Sequence, residues 1–243
     1  MEINLSPRRL WNAARKVVAG LPLGGEAVWP GLRNDLFVAH ESIYRYAARW
    51  APACRILDAA CGTGYGSHLL ACSGARSVLG VDREPRRVRF ASRRYSHAAL
   101  SFRVEDCERL DLSPGAFELV VSSNTLEHLA EPEAFLRGVA GALGAAGQLL
   151  VAMPPVLSDA DLREHACNPH HLSNLSVRGW GELFQREGWQ FEYLSHRCAK
   201  PLDFHSFRAS RVTSEDFAFV GEALEAAYAT PPITALFRLR RER

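Results

Sequence analysis

The stretch Arg55-Ile-Leu-Asp-Ala-Ala-Cys-Gly-Thr-Gly-Tyr-Gly66 decides the fold. Arg55 to Ala59 is a short, mostly apolar run, consistent with a buried parallel strand. It leads into glycines at alternate positions, Gly62, Gly64 and Gly66. A helical pattern with Leu69, Leu70 and Ala71 follows, stopped at Gly74. Strand, glycine turn and helix form a loop whose backbone can press against a ligand, because glycine has no Cβ and accepts positive φ.

Two kinds of ligand suit such a loop. A dinucleotide site wants G-x-G-x-x-G, with the pyrophosphate at the helix N-terminus and an acid about 20 residues on for the ribose. Here the third glycine falls one place early, and Ser67 stands at the sixth position. The acid is present, since Ser77-Val-Leu-Gly-Val81 reads as a second strand closed by Asp82. Asp58 is the discriminating residue. A carboxylate beside the loop is awkward for a pyrophosphate and suits a ligand that carries an ammonium and a sulfonium.

Asp58-x-x-Cys-Gly-Thr-Gly64 resembles motif I of the class I S-adenosylmethionine-dependent methyltransferases. Val78-Leu-Gly-Val-Asp82 resembles the second motif, Phe102-Arg-Val-Glu-Asp-Cys107 the third, and Phe117 to Leu129 the fourth strand with its following loop. Gly147-Gln-Leu-Leu-Val151 matches the fifth strand. The resemblance implies an α/β, doubly wound, mostly parallel seven-stranded Rossmann-like sheet with S-adenosyl-L-methionine as cofactor. It implies that Asp58, Ala60, Gly62 and Gly64 surround the methionine end and that Asp82 holds the ribose. Arg83 would flank the adenine, and Asp106 with Cys107 would hold it; Asn124, after strand four, belongs to the same cofactor set. His40-Glu-Ser-Ile-Tyr-Arg-Tyr46 resembles the E-H-x-x-R-Y helix of a bacterial small-molecule and saccharide-pathway subset. There the tyrosine, here Tyr46, closes over the methionine end; simple aromatic packing is the competing reading.

Composition sets outer limits. The 243 residues are 47% hydrophobic and 23% charged, ordinary for a globular chain with one sizeable core. A net charge of +2 does not by itself imply a nucleic-acid partner. Six cysteines without a C-x-x-C pair read as reduced thiols of a cytoplasmic protein. No secretory leader pattern opens the sequence, and no apolar run is long enough for a membrane span.

The expected organisation is an N-terminal helical lid over residues 1–50 and a methyltransferase domain over 51–243, with a substrate loop at 156–176 and an insertion at 200–230. Ser6-Pro7 starts a helix with Leu10, Trp11, Ala14, Val17 and Val18 on one face, suited to packing as a lid or to lying on an anionic membrane. A second helix runs from Asn34 or Asp35 to about Trp50, and Ser214 caps another to about Ala229. Pro85 opens a basic helix whose Arg86, Arg89 and Arg93 share a side; it reads as a solvated face, with a nucleic-acid footprint as the alternative.

Methyl transfer to a hydroxyl needs an aligned oxygen and a base for its proton. The candidates are Glu127-His128 after strand four and His171 in the loop after strand five, each also explained by loop structure alone. Glu127, His128, His170 and His171 resemble the two-Glu, two-His metal pattern of small-RNA 3′-terminal 2′-O-methyltransferases. Asn124 replaces the first acid of that pattern, and no metal is assigned. The acceptor is expected to be a small molecule or a saccharide- or lipid-linked intermediate. An RNA methyltransferase and a non-catalytic cofactor-binding subunit are the alternatives.

Overall fold

The computed structural model describes Val28 and residues 30–204 and 206–241, so the helix expected from Ser6 lies outside the described residues. Eight strands are present: β1 (Arg55–Ala59), β2 (Ser77–Asp82), β3 (Leu100–Val104), β4 (Phe117–Ser123), β5 (Leu143–Met153), β6 (Trp189–Cys198), β7 (Phe217–Gly221) and β8 (Thr234–Arg241). The helices are α1 (Asp35–Ala47), α2 (Tyr65–Cys72), α3 (Pro85–Arg94), α4 (Pro132–Ala142), α5 (Asp159–Ala166), α6 (Val177–Arg186) and α7 (Ala226–Ala229).

The strands form one sheet in the order β3-β2-β1-β4-β5-β8-β6-β7. β1 through β5 pair in parallel. β8 runs antiparallel to both β5 and β6, and β7 antiparallel to β6. The order reverses between β1 and β4, which opens a crevice at the carboxyl ends of these strands. Ile56, Leu57, Val120 and Val121 are fully buried, as expected of strands covered on both faces. One face packs Phe135, Leu136, Trp180 and Phe184 from α4 and α6. The other packs Ile43, Tyr44 and Ala47 from α1 with Leu70 and Ala71 from α2.

The fold is the expected doubly wound α/β sheet, with eight strands in place of seven. The additional strand is β7, which lies inside the helix expected from Ser214. The capping signal is real, since Thr213 and Asp216 form a reciprocal capping box, but the turn it starts spans only Ser214–Asp216. Phe217-Ala-Phe-Val then alternates with period two, and the chain joins the sheet edge. Phe219 stacks on Tyr46 at 4.2 Å and on His196 at 4.7 Å between ring centroids. The 156–176 loop also contains a helix, α5, started by a capping box between Ser158 and Asp161. Among the described residues no helix is long and apolar enough to cross a membrane.

Candidate functional site

The loop after β1 turns through three left-handed residues, Ala60 (φ 62°), Gly62 (φ 57°) and Gly64 (φ 82°). The glycines serve different ends. A Cβ on Gly62 would meet nothing within 4 Å, and this residue lines an open cavity. A Cβ on Gly64 would lie 2.6 Å from the Ala91 side chain and 2.9 Å from the Phe102 ring. One on Gly66 would fall 2.2 Å from the Tyr44 ring. Gly64 and Gly66 thus allow α3, β3 and α1 to close on the loop, while Gly62 leaves room for a ligand.

The cavity, of about 340 Å³, sits at the switch point. Asp82 ends β2 at one side of it, almost fully buried. One carboxylate oxygen accepts the Gly62 N–H at 3.0 Å and the other the Glu84 N–H at 2.9 Å, which fixes its orientation. Arg83 and Arg87 line the same end, with the Arg87 guanidinium 3.6 Å from Asp82. Asp106 lies beyond it and accepts the Glu108 N–H at 3.0 Å. Burial pushes the Cys107 thiol up to about 12, with a further contribution from Asp82, so Cys107 presents an uncharged wall.

Asp58 does not reach this cavity. It is fully buried beneath the loop, and its oxygens accept the Tyr44 hydroxyl at 3.0 Å and the Ser67 hydroxyl at 2.5 Å. Burial raises its carboxyl to about 6, the two hydroxyl hydrogen bonds acting in the opposite sense. The expected direct contact with the methionine end is replaced by a buried knot that ties α1 to α2.

The other end of the cavity is built from α1 and the loops after β4 and β5. His40 and Tyr44, one helical turn apart, both line it. Tyr46 lies on a different face of α1, stacked on Phe219 and 5.1 Å from the Trp50 ring, and does not line the cavity. Of the two α1 tyrosines Tyr44 faces the site, joined there by Tyr65 from the start of α2. Desolvation lowers the His40 imidazole to about 4, so it is neutral near pH 7. The Asn124 side-chain nitrogen lies 3.4 Å from both His40 ring nitrogens, on a residue with φ 50° that follows β4 directly.

His128 also lines the cavity. Its Nδ1 is 2.9 Å from the His170 carbonyl oxygen, which can only accept, so Nδ1 carries a proton and the neutral ring presents Nε2 as the basic atom. Glu127 is buried and outside the cavity; its carbonyl accepts from Leu172 and Ser173, and its carboxylate is 4.0 Å from His128 Nε2. His171 does not line the cavity either. Its Nδ1 donates to the His165 carbonyl at 3.1 Å, and its Nε2 is 2.8 Å from the Asn168 amide nitrogen. Among the described residues no group of three His, Cys, Asp or Glu side chains is arranged to hold a metal ion.

Of the residues singled out from the sequence, the cavity wall brings together Ala60, Gly62, Asp82, Arg83, Asp106, Cys107, Asn124, His128 and His170. It leaves out Asp58, Gly64, Tyr46, Glu127 and His171. His40, Tyr44 and Thr63 were not singled out as site residues, yet all three line it. The i, i+4 spacing of His40 and Tyr44 was the available signal, but such a stripe describes core packing equally well.

A strand-end carboxylate oriented by two backbone N–H groups, beside an open glycine at a switch point, defines an α/β domain that binds a nucleoside-bearing cofactor. Residues 57–151 match the family described as "Methyltransferase domain". A Mycolicibacterium smegmatis protein named "Probable S-adenosylmethionine-dependent methyltransferase" is 31% identical over 176 residues, covering 72% of this chain and 67% of that one. A ubiquinone biosynthesis O-methyltransferase of Methylocella silvestris is 37% identical over 110 residues, 44% of this chain and 42% of its own length. The crystal structure of an S-adenosylmethionine-dependent methyltransferase from Thermotoga maritima shares the fold with a TM-score of 0.65 at 16% identity, covering 86% of this chain and 92% of that one. The chain thus spans about two thirds of the first relative and less than half of the second. It belongs to the class I S-adenosylmethionine-dependent methyltransferases, and S-adenosylmethionine is its cofactor. The residues present fit that group: Asp82 offers a fixed carboxylate to a ribose diol, and the space above Gly62 is open.

Proposed function

We propose that the chain methylates a hydroxyl oxygen of a small molecule or of a saccharide- or lipid-linked intermediate, with His128 as general base. The observation that carries this reading is the His128–His170 contact on the cavity wall, which makes Nδ1 the proton-bearing nitrogen and leaves Nε2 as the atom to exchange a proton. S-adenosylmethionine, when bound, supplies a methyl group on a positively charged sulfur. The chain's part is to hold the ribose on Asp82, flank the adenine with Arg83, Asp106 and Cys107, and take the hydroxyl proton. Glu127 and His171 act through the loop that presents His128. The named activity of the Methylocella relative, an O-methyltransferase, supports oxygen as the acceptor atom. Six free cysteines support a cytoplasmic setting.

The test is transfer of labelled methyl from S-adenosylmethionine into an extract of the source cells. His128→Asn is expected to lower transfer by about a hundredfold, the usual scale for a lost general base, with cofactor affinity unchanged. Undiminished transfer in that variant removes His128 from the role. A second reading, an RNA acceptor, has one observation in its favour: Arg86, Arg89 and Arg93 on α3 are all exposed. Labelled RNA and a steep loss of binding with salt would select it.

A further inference from the structure

His40 is a half-buried, titratable side chain on the cavity wall that the transfer reading leaves without a task. Its place is well determined. It sits on α1 one turn before Tyr44, whose hydroxyl is fixed to Asp58 at 3.0 Å, and its ring lies against the Asn124 amide. Asn124 is fixed in turn, since its backbone N–H reaches the Ala152 carbonyl at 2.7 Å and its left-handed conformation aims the side chain toward α1. Behind α1, Ser42 donates to the Ala39 carbonyl and therefore accepts from His196 Nε2 at 2.9 Å. Burial keeps both histidines neutral, His196 being lowered to about 3 with a smaller contribution from His40.

Among the described residues, the wall around this pair carries no arginine or lysine. The cavity's two arginines, Arg83 and Arg87, flank Asp82 at the opposite end. The described residues near β4 and α1 are instead Tyr44, Ser123, Thr125 and Leu129, beside His40 and Asn124, with His128 and His170 as the other titratable groups. A neutral imidazole offers one donor and one acceptor, and a primary amide offers both as well. That set complements a hydroxyl, which also donates and accepts. A carboxylate or phosphate placed there would lose its hydration with no arginine or lysine among the described residues beside it to compensate.

We propose that His40 and Asn124 are the acceptor-binding pair and that the acceptor presents an uncharged, hydroxyl-bearing group to the site. The assignment rests on the methyl-transfer reading. In the step it serves, the acceptor oxygen bonds to the methyl carbon as the carbon–sulfur bond breaks, and that bond's electron pair stays on sulfur. The hydroxyl proton passes to His128 Nε2. His40 binds and aligns the hydroxylated group and gains no proton.

The test uses the full chain, tritium-labelled S-adenosylmethionine, and source-cell extract split by anion exchange into neutral and anionic pools. The neutral pool should take the label. His40→Phe should lower transfer about tenfold or more, the scale of one lost hydrogen bond to a buried group, by raising KM for the pool. Its affinity for S-adenosylhomocysteine should stay within twofold of wild type, and His40→Gln should recover part of the loss. Asn124→Asp, which keeps the side-chain shape and tolerates the left-handed backbone, should likewise lower transfer if His40→Phe does not fold. Label confined to the anionic pool, or wild-type transfer by whichever of these variants folds, overturns the assignment alone. No label in either pool with cofactor binding intact overturns the transfer reading and this assignment with it.

Discussion

The two ends of the cavity are held by different means. At the cofactor end, main chain does the positioning: Asp82 and Asp106 close strands or turns, and their oxygens are fixed by N–H groups of Gly62, Glu84 and Glu108. At the acceptor end, side chains hold side chains or carbonyls, as in His40 against Asn124 and His128 against the His170 carbonyl. The first arrangement tolerates change at most side chains except the carboxylates themselves. The second can be rebuilt residue by residue without disturbing the sheet. If the proposed assignment holds, cofactor and acceptor recognition are expected to be separable by mutation.

The sharpest way to break that separation is Asp82→Ala. It removes a cavity-lining carboxylate fixed by two N–H groups, those of Gly62 and Glu84. Affinity for S-adenosylhomocysteine should fall by about a hundredfold or more, since charged hydrogen bonds contribute about 1.5–3 kcal/mol each. Titration calorimetry showing near-normal binding would remove the ribose assignment.

Next in size are the loop glycines, which should respond in opposite ways. Gly64→Ala meets both Ala91 and Phe102 and also a φ of 82°, so unfolding free energy should drop by about 2–4 kcal/mol. Gly62→Ala meets only its φ of 57°, a cost of about 1–2 kcal/mol, while its methyl group enters the ligand's space and weakens cofactor binding. Urea melts paired with calorimetry would distinguish the two. Equal destabilisation would mean that Gly62 is also a packing glycine.

A smaller effect belongs to the acceptor side and its backing. His40 and His196 titrate near 6.5 in the unfolded chain but are lowered to about 4 and about 3 when folded. The unfolded chain binds the extra protons in that window, so stability is lost as pH falls from about 6.5 toward 4. Asp58 acts the other way: raised from 3.8 to about 6, it leaves the folded state holding the extra proton, so stability rises as pH falls through this window. Two histidines outweigh one acid. Comparing urea midpoints at pH 7 and 4.5 should show a net acid loss, flattened by His196→Phe and steepened by Asp58→Asn.

The smallest effects separate two tyrosines. Tyr44→Phe removes a hydrogen bond to a buried carboxyl and should cost about 1–2 kcal/mol of stability. Tyr46→Phe retains the stack on Phe219 and should leave cofactor affinity within twofold. A large loss of affinity in Tyr46→Phe would restore that residue to the site.

The same contrast governs how much was legible in the sequence. The cofactor end could be read because it depends on local order: strand, glycine, strand, acid. Gly62, Asp82, Asp106 and Cys107 stand where those short patterns placed them. Asp58 was legible as a strand-end acid but not as a buried one, since its partners Tyr44 and Ser67 lie on two separate helices. The choice between Tyr44 and Tyr46 depended on which face of α1 meets the loop, and packing against Gly66 settled it. β7 stands where a helix from Ser214 is expected, because the capping box at Thr213 is a genuine helix-start signal directly before the strand. His171 was an attractive base in isolation; only the fold shows its ring turned to His165 and Asn168.

The attachment of α1 to the far sheet edge has a consequence for synthesis. The helix emerges early from the ribosome, yet Ser42 meets His196 across 154 residues and Asp35 meets Ser210 across 175. β1 to β4, with the glycine loop, can pair while those partners are still being translated, because parallel neighbours come in close succession. The wall carrying His40 has to wait for β6 and β7, and long-range closures of this kind are the slow ones. The expected order for the nascent protein is the nucleoside site first and the wall carrying His40 after β6 and β7 have paired.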